Sequence, residues 1–326
     1  MDISEYRKKY LEELKKAAEK QPDPADLLDT SKTKAKRLSG VDDSFGLRKQ
    51  SDVADAGDIV RDKKQHVDVR IAALNQISFK VGEQINLIEL MFAILKDTGE
   101  PGELRRAALR VLQQAAFTSS LFQSKRPEFL DVLRQIVDDP DPEIRVRVIE
   151  ELAKEKDDYV QQRLIEGLND KKKALVPPEK AIQFLGYDIH SEYFPILKDV
   201  VADPPNQAAK VEAVRLLGAD ADSKDLLTEI VQDKSEKSEV RQVGAAALQA
   251  LAPEEFEAHA KQIVMDDSDF NEIKSVVINA VTHFPEKNGI TDDKEFVSKV
   301  EDLQSSKSKQ LKQIAETFVS NRGEEE

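Results

Sequence analysis

The feature that most constrains this chain is a short pattern that keeps returning: an aliphatic residue, any residue, then aspartate. It ends at Asp62, Asp97, Asp139, Asp170, Asp203, Asp233 and Asp266, at steps of 35, 42, 31, 33, 30 and 33 residues. A unit of that size cannot bury its own apolar face, so a repeat of this period implies an architecture that grows by stacking one small motif.

Six to ten residues after each aspartate, a basic residue opens a second apolar run: Arg70, Arg105, Arg145, Lys180, Lys210, Arg241 and Lys274. Lys312 adds an eighth without its aspartate. The residue just before is apolar in seven of the eight, with Glu179 the exception, and the residue seven later is always apolar or aromatic: Ile77, Leu112, Leu152, Tyr187, Leu217, Leu248, Val281 and Val319. Spacings of three, four and seven mark one buried face of an α-helix. Each unit therefore reads as helix A, a turn at the aspartate, then helix B. Pro101, Pro142, Pro178 and Pro205 fall at or near B-helix starts, where a missing N–H costs nothing. Pro127 and Pro253 fit A-helix starts, and Pro285 follows a B helix.

Composition agrees. With 12 Gly, 13 Pro and no Trp in 326 residues, the chain is short of the turn formers a β-sandwich or barrel needs. It has no Cys, which excludes disulfides, thiol nucleophiles and cysteine-bound zinc. Residues 1–20 lack the apolar core of a signal peptide and no apolar run is long enough to span a bilayer, so a cytoplasmic location is expected. Net charge is −14, split as +2 over residues 1–50 and −16 over the rest. A body that acidic repels phosphate backbones, so nucleic acid is not an expected partner.

The run Glu239-Val240-Arg241-Gln242-Val243-Gly244-Ala245-Ala246-Ala247-Leu248 resembles the second helix of a HEAT repeat. The turn aspartate and the helix-B Arg or Lys are similar to that family's two signature polar positions. Pro195 matches a place where many HEAT repeats carry a kinking proline within helix A. Tetratricopeptide repeats have a similar period, but their Trp and Gly-Tyr signature is missing. The resemblance covers roughly residues 51–320 and implies an all-α solenoid of about eight stacked hairpins. It also implies a ladder in which aspartates and basic residues of neighbouring turns bond to one another: Asp62, Arg70, Asp97, Arg105, Asp139, Arg145, Asp203, Lys210, Asp233, Arg241, Asp266 and Lys274. A partly buried carboxylate needs such a partner, and a chemical site would not be copied seven times.

The ends differ from the array. Residues 2–20 read as an amphipathic helix, with Asp2 and Glu5 at capping-box spacing and Tyr6, Tyr10, Leu11 and Leu14 on one face. This helix is expected to cap the first repeat, with docking onto a partner as the alternative. Residues up to 50 then form an irregular basic connector around Lys32, Lys34, Lys36 and Arg37. A solvated linker is the favoured reading of that cluster over a docking or nucleic-acid contact. Residues 321–326 read as an acidic, frayed tail.

No catalytic pattern is present. His66, His190, His259 and His283 lie too far apart for zinc spacing. The stretch from Asp267 matches the first calcium-loop positions but has Glu272 where the loop needs glycine and Ile278 where it needs a bidentate acid. Asp138 to Glu143 is explained by a turn and a helix N-terminus. No metal, cofactor or catalytic residue is expected.

In HEAT arrays the B helices line the concave side. Counting from each basic residue, positions one, five and eight later form a stripe beside the buried face. Five of its 24 residues are charged, three Arg against one Asp and one Glu, far fewer than the chain's 34% would give. Low charge with retained arginine suits a protein-binding groove; packing between adjacent B helices would deplete charge equally. The candidate contact residues are Arg106, Arg110, Glu150, Leu185, Arg215, Gln242, Gln249 and Asn279. The expected function is a non-catalytic scaffold or adaptor that binds a partner protein. The resemblance leaves open a lyase or chaperone similar to the bilin lyase subunits and, less favoured, a nucleic-acid binder similar to HEAT-like DNA glycosylases.

Overall fold

The computed structural model describes residues 50–283 and 289–323. The expected leader helix, the basic cluster at 32–37, Pro285 and the residues from 324 on lie outside them. The described residues form sixteen α-helices and no strand. They run α1 Gln50–Arg61, α2 Val67–Val81, α3 Ile85–Lys96, α4 Gly102–Thr118, α5 Phe122–Gln135, α6 Pro142–Lys154, α7 Asp158–Asn169 and α8 Pro178–Leu185. Then follow α9 Phe194–Ala202, α10 Gln207–Leu217, α11 Lys224–Gln232, α12 Ser238–Leu251, α13 Pro253–Met265, α14 Asn271–His283, α15 Lys294–Leu303 and α16 Lys309–Gly323. These are eight A–B hairpins, and the last helix runs past residue 320, into the stretch read as tail.

In most copies the recurring aspartate ends helix A by one device. Its own N–H still closes the last helical bond, as from Asp97 to Ala93 at 3.2 Å and from Asp233 to Glu229 at 2.9 Å. Its carboxylate then accepts the amide two residues on: Asp62 from Lys64, Asp97 from Gly99, Asp139 from Asp141, Asp170 from Lys172, Asp233 from Ser235 and Asp266 from Ser268, at 2.8–3.0 Å. Aspartate folds its own backbone this way because its side chain is short enough to mimic a turn. In the eighth hairpin, which lacks the aspartate, the Ser306 hydroxyl takes the Ser308 amide at 3.2 Å. B helices start on Pro142 and Pro178, or on caps such as Asn206, which accepts the Ala209 amide at 2.8 Å.

Two prolines sit elsewhere than expected. Pro195 lies in the first turn of α9, preceded by a 3₁₀ turn at Ser191–Tyr193, so it starts the helix and does not kink it. Pro127 lies inside α5, because that helix begins at Phe122.

The described residues divide into two compact units, which part between Ile149 and Glu150. In the first, α2 packs on α4 and α3 on α5, with Phe92 and Phe129 stacked 6.1 Å apart and Phe122 edge-on to Phe129. In the second, one continuous core runs from Ile182 to Phe318. Each side chain of this size, fully buried, contributes about 1.5–3 kcal/mol. Within each unit the B helices pack on one another more extensively than the A helices do. Gly244 of α12 shows how tight the hairpins are: a Cβ there would stand 3.0 Å from the Ile230 side chain.

Candidate functional site

The polar ladder is real but its acids are mostly not the turn aspartates. Arg70 donates Nε to the Val60 carbonyl at 2.9 Å and both Nη groups to Glu100 at 2.6 and 2.9 Å. Arg241 repeats this with the Val231 carbonyl at 2.9 Å and Asp269 at 2.6 and 2.8 Å. Lys210 bonds Glu236. Glu100, Glu236 and Asp269 each stand three residues after a turn aspartate, at the last step before helix B. This corrects the expected partners Asp97, Asp233 and Asp266. Arg105 does reach a turn aspartate of the next hairpin, Asp139, at 3.0 Å from Nη1, while its Nε holds the Leu95 carbonyl at 3.0 Å. Arg145 binds the Asp139 carbonyl of its own turn at 2.6 Å.

These rungs are buried: Arg70, Arg105, Arg241, Glu100, Asp139 and Asp269 are all under a tenth exposed. Hydrogen bonds from Arg70 hold the Glu100 carboxyl below the usual range against the opposing pull of burial. Burial pushes Asp269 up, but the bonds from Arg241 and the Phe270 amide outweigh it and its pKa is lowered. Lys274 is buried too, and burial depresses its ammonium pKa.

Two of the turn aspartates, Asp97 and Asp266, instead make exposed ion pairs with the preceding turn. Lys63, one residue after Asp62, bonds Asp97 at 2.7 Å, and Lys234, one residue after Asp233, bonds Asp266. The Asp97 pKa is lowered first by the Lys63 bond, then by the Gly99 amide. Asp62 bonds only within its own turn, and Asp203 is exposed at the end of α9.

The B-helix stripe divides into two kinds of position. Those five residues after the basic residue face solvent: Asn75, Arg110, Arg215, Ala246 and Asn279 are exposed, and Glu150, partly exposed, pairs with Lys154 at 2.7 Å. Leu185 is the exception and a correction: it is fully buried, because α8 ends there. Tyr187, beyond that end, is 45% exposed and not on the buried face expected for it. Positions one and eight later pack against neighbours; Ala181, Val211 and Ser275 are buried, while Gln242 and Gln249 are half-buried. Arg106 is committed internally, bonding Asp141 at 2.5 Å with Glu143 at 3.4 Å. Arg215 pairs with Glu212 at 2.5 Å, and Gln242 bonds Ser238 at 3.0 Å. Arg110 makes no ion pair among the described residues.

Stopping the stripe eight residues after the basic position misses its main feature. The next turn of α4, at 17 residues one of the longest helices here, carries Phe117 on the face of Arg106, Arg110 and Gln113, and Phe117 is 93% exposed. Beside it the C-terminal ends of α2 and α4 enclose a cleft of about 410 Å³ lined by Ser78, Phe79, Gln114, Thr118 and Leu121. The Ser119 hydroxyl closes its floor by donating to the Gly82 carbonyl at 2.5 Å. The helix length and the Phe are both legible in sequence once the stripe is carried one turn further. Among the described residues no three His, Asp or Glu side chains are placed to hold a metal, and no helix is long and apolar enough to cross a membrane.

Comparison with known proteins supports the architecture. The family profile described as HEAT repeats matches residues 88–177. No curated protein matches the sequence. Among solved structures, human deoxyhypusine hydroxylase in complex with glycerol is 14% identical, aligned over 76% of this chain and 99% of that one with a TM-score of 0.33. A likeness that distant says nothing of activity. The matched profile over residues 88–177 is that of HEAT repeats, and the hairpin period and all-helical build of the described residues agree with an α-solenoid of that kind.

Proposed function

We propose that the chain is a cytoplasmic, non-catalytic scaffold that holds a partner protein against the exposed stripe of its B helices. The observation that carries this reading is Phe117: an aromatic side chain left 93% in water, in line with the unpaired Arg110 and next to a cleft edged by Phe79 and Leu121. Leaving that much apolar surface in water gives up the burial energy that holds the rest of the molecule together. An aromatic anchor beside an arginine, with small and amide side chains around them, is the composition of an interface centre. The buried rungs keep the helices rigid beneath it, so little ordering is lost on binding.

The test is affinity capture with the wild-type chain and with Phe117→Ala combined with Arg110→Glu. Both positions are exposed, so unfolding should shift by no more than about 0.5 kcal/mol. A partner retained by the wild type and lost by the variant supports the proposal. Equal retention by both, or unfolding of the variant, refutes it.

A further inference from the structure

The fourth hairpin lacks the arginine rung, and the space is left open. Arg70, Arg105 and Arg241 each fill the junction between an A-helix end and the next turn. The residue in that register of the fourth hairpin, Lys180, is exposed and bonds Gln183 of its own helix at 2.9 Å. The residue three after the next turn's aspartate is Asn206, a neutral amide where Glu100, Glu236 and Asp269 stand elsewhere. Asn206 lines a cavity of about 260 Å³, walled by Leu164, Leu168, Leu175 and Ala181, with Lys171 also lining it.

A cluster of positive charge sits beside this apolar hole. The turn after α7 is long and contains a 3₁₀ turn at Lys171–Lys173, all three exposed. It lies close against α7 because residue 167 is glycine; a Cβ there would stand 2.9 Å from the Ala174 Cα. The carboxylates nearby are already engaged: Glu166 faces Lys173 at 3.9 Å, Asp170 accepts the Lys172 amide at 3.0 Å, and Glu179 accepts from Asn206 at 2.9 Å. The ammonium groups of Lys171 and Lys172 make no ion pair among the described residues.

We propose that this cavity takes one bulky apolar side chain of an acidic peptide segment, whose flanking carboxylates lie on Lys171 and Lys172. The cavity has room for a leucine or phenylalanine side chain, and its wall offers carbon. In a chain of net charge −14, this patch is where an acidic segment is attracted and not repelled, which fixes its register. The proposal does not depend on the proposed function, since neither Phe117 nor Arg110 lines this cavity.

The test is fluorescence anisotropy of the full chain with a short labelled peptide of Asp and Glu around one central Leu. Saturable binding that weakens by about tenfold or more when the Leu becomes Ala is expected. Lys171→Glu with Lys172→Glu, both on the surface, should abolish binding with unfolding unchanged. Ala181→Met, which narrows the cavity, should weaken the Leu peptide and leave the residual charge-driven binding of the Ala peptide intact. The proposal is overturned if no saturable binding occurs, if Leu and Ala peptides bind equally, or if a single-stranded oligonucleotide binds in preference to the peptide.

Discussion

The second and fourth hairpins are built on one period and end in opposite ways. In the second, Arg105 of α4 ties its own A helix to the next turn through the Leu95 carbonyl and the Asp139 carboxylate, and the junction is solid. In the fourth, Lys180 of α8 turns outward, the helix is only eight residues long, and a cavity stands at the corresponding place. The difference teaches that the repeated polar signature is a packing device. Where it is present it seals the joint between hairpins; where it is lost the fold persists on its apolar core, and the joint becomes a surface feature available for binding.

The largest expected effect comes from breaking a sealed joint. Asp139→Ala leaves the Arg105 guanidinium, 2% exposed, without its carboxylate and should cost about 3–5 kcal/mol. Replacing both partners, Arg105→Met with Asp139→Leu, removes the buried charges together and should recover most of that loss. The recovery falls short by about 1 kcal/mol, because Asp139 also accepts the Asp141 amide at 3.0 Å. Urea unfolding, with hydrogen exchange read over α4, checks both. A cost under about 1 kcal/mol for the single change would mean that the rung does not seal the joint.

A smaller effect is expected from building the missing joint. Lys180→Arg with Asn206→Asp supplies a guanidinium and a carboxylate in the register of the other rungs, and Asp retains the oxygen that caps Ala209. A new buried pair loses in desolvation much of what it gains in attraction, so stability should move by no more than about 1 kcal/mol in either direction. The bond from Asn206 to Glu179 is given up. The sharper readout is binding: the graft should fill the cavity and remove the Leu preference of an acidic peptide. A stable graft that still prefers the Leu peptide would separate the cavity from the rung it lacks.

Much of this was legible in the residues. The period, the hairpins and the buried face follow from the aspartates and from apolar spacing, because helix geometry converts sequence distance directly into direction. The partner of each arginine was not legible from the conspicuous aspartates, since a residue repeated in every copy can serve its own turn. The less regular acids Glu100, Glu236 and Asp269 lie closer to the junction. Position 185 was misread because α8, which starts late after a longer turn and two successive prolines, Pro177 and Pro178, ends at Leu185 with that side chain buried. Phe117 was missed for the opposite reason: the count stopped before the helix did.

The smallest expected effect lies at the far end of α8, in a polar cluster past its C-terminus. There Asp188 accepts from Lys156 at 3.0 Å, His190 at 2.9 Å and Gln161 at 3.3 Å, and Tyr193 donates to Gln161 at 2.7 Å. The bond from Lys156, then that from His190, lowers the Asp188 pKa to about 2 from an ordinary 3.8. A carboxyl depressed in the folded state adds stability that is complete above the unfolded value and vanishes as pH falls through the folded one. Asp188→Asn removes the charge at every pH. The melting temperatures of the two chains should therefore differ by a small, constant margin above about pH 4 and converge towards about pH 2. Both chains lose stability in acid as other carboxylates protonate, but the difference between them isolates this one group. A margin that persists unchanged below the folded pKa would assign the effect to lost hydrogen bonding at Asp188 and not to its charge, and the polar cluster would then join the neighbouring loops by its hydrogen bonds and not by its charge.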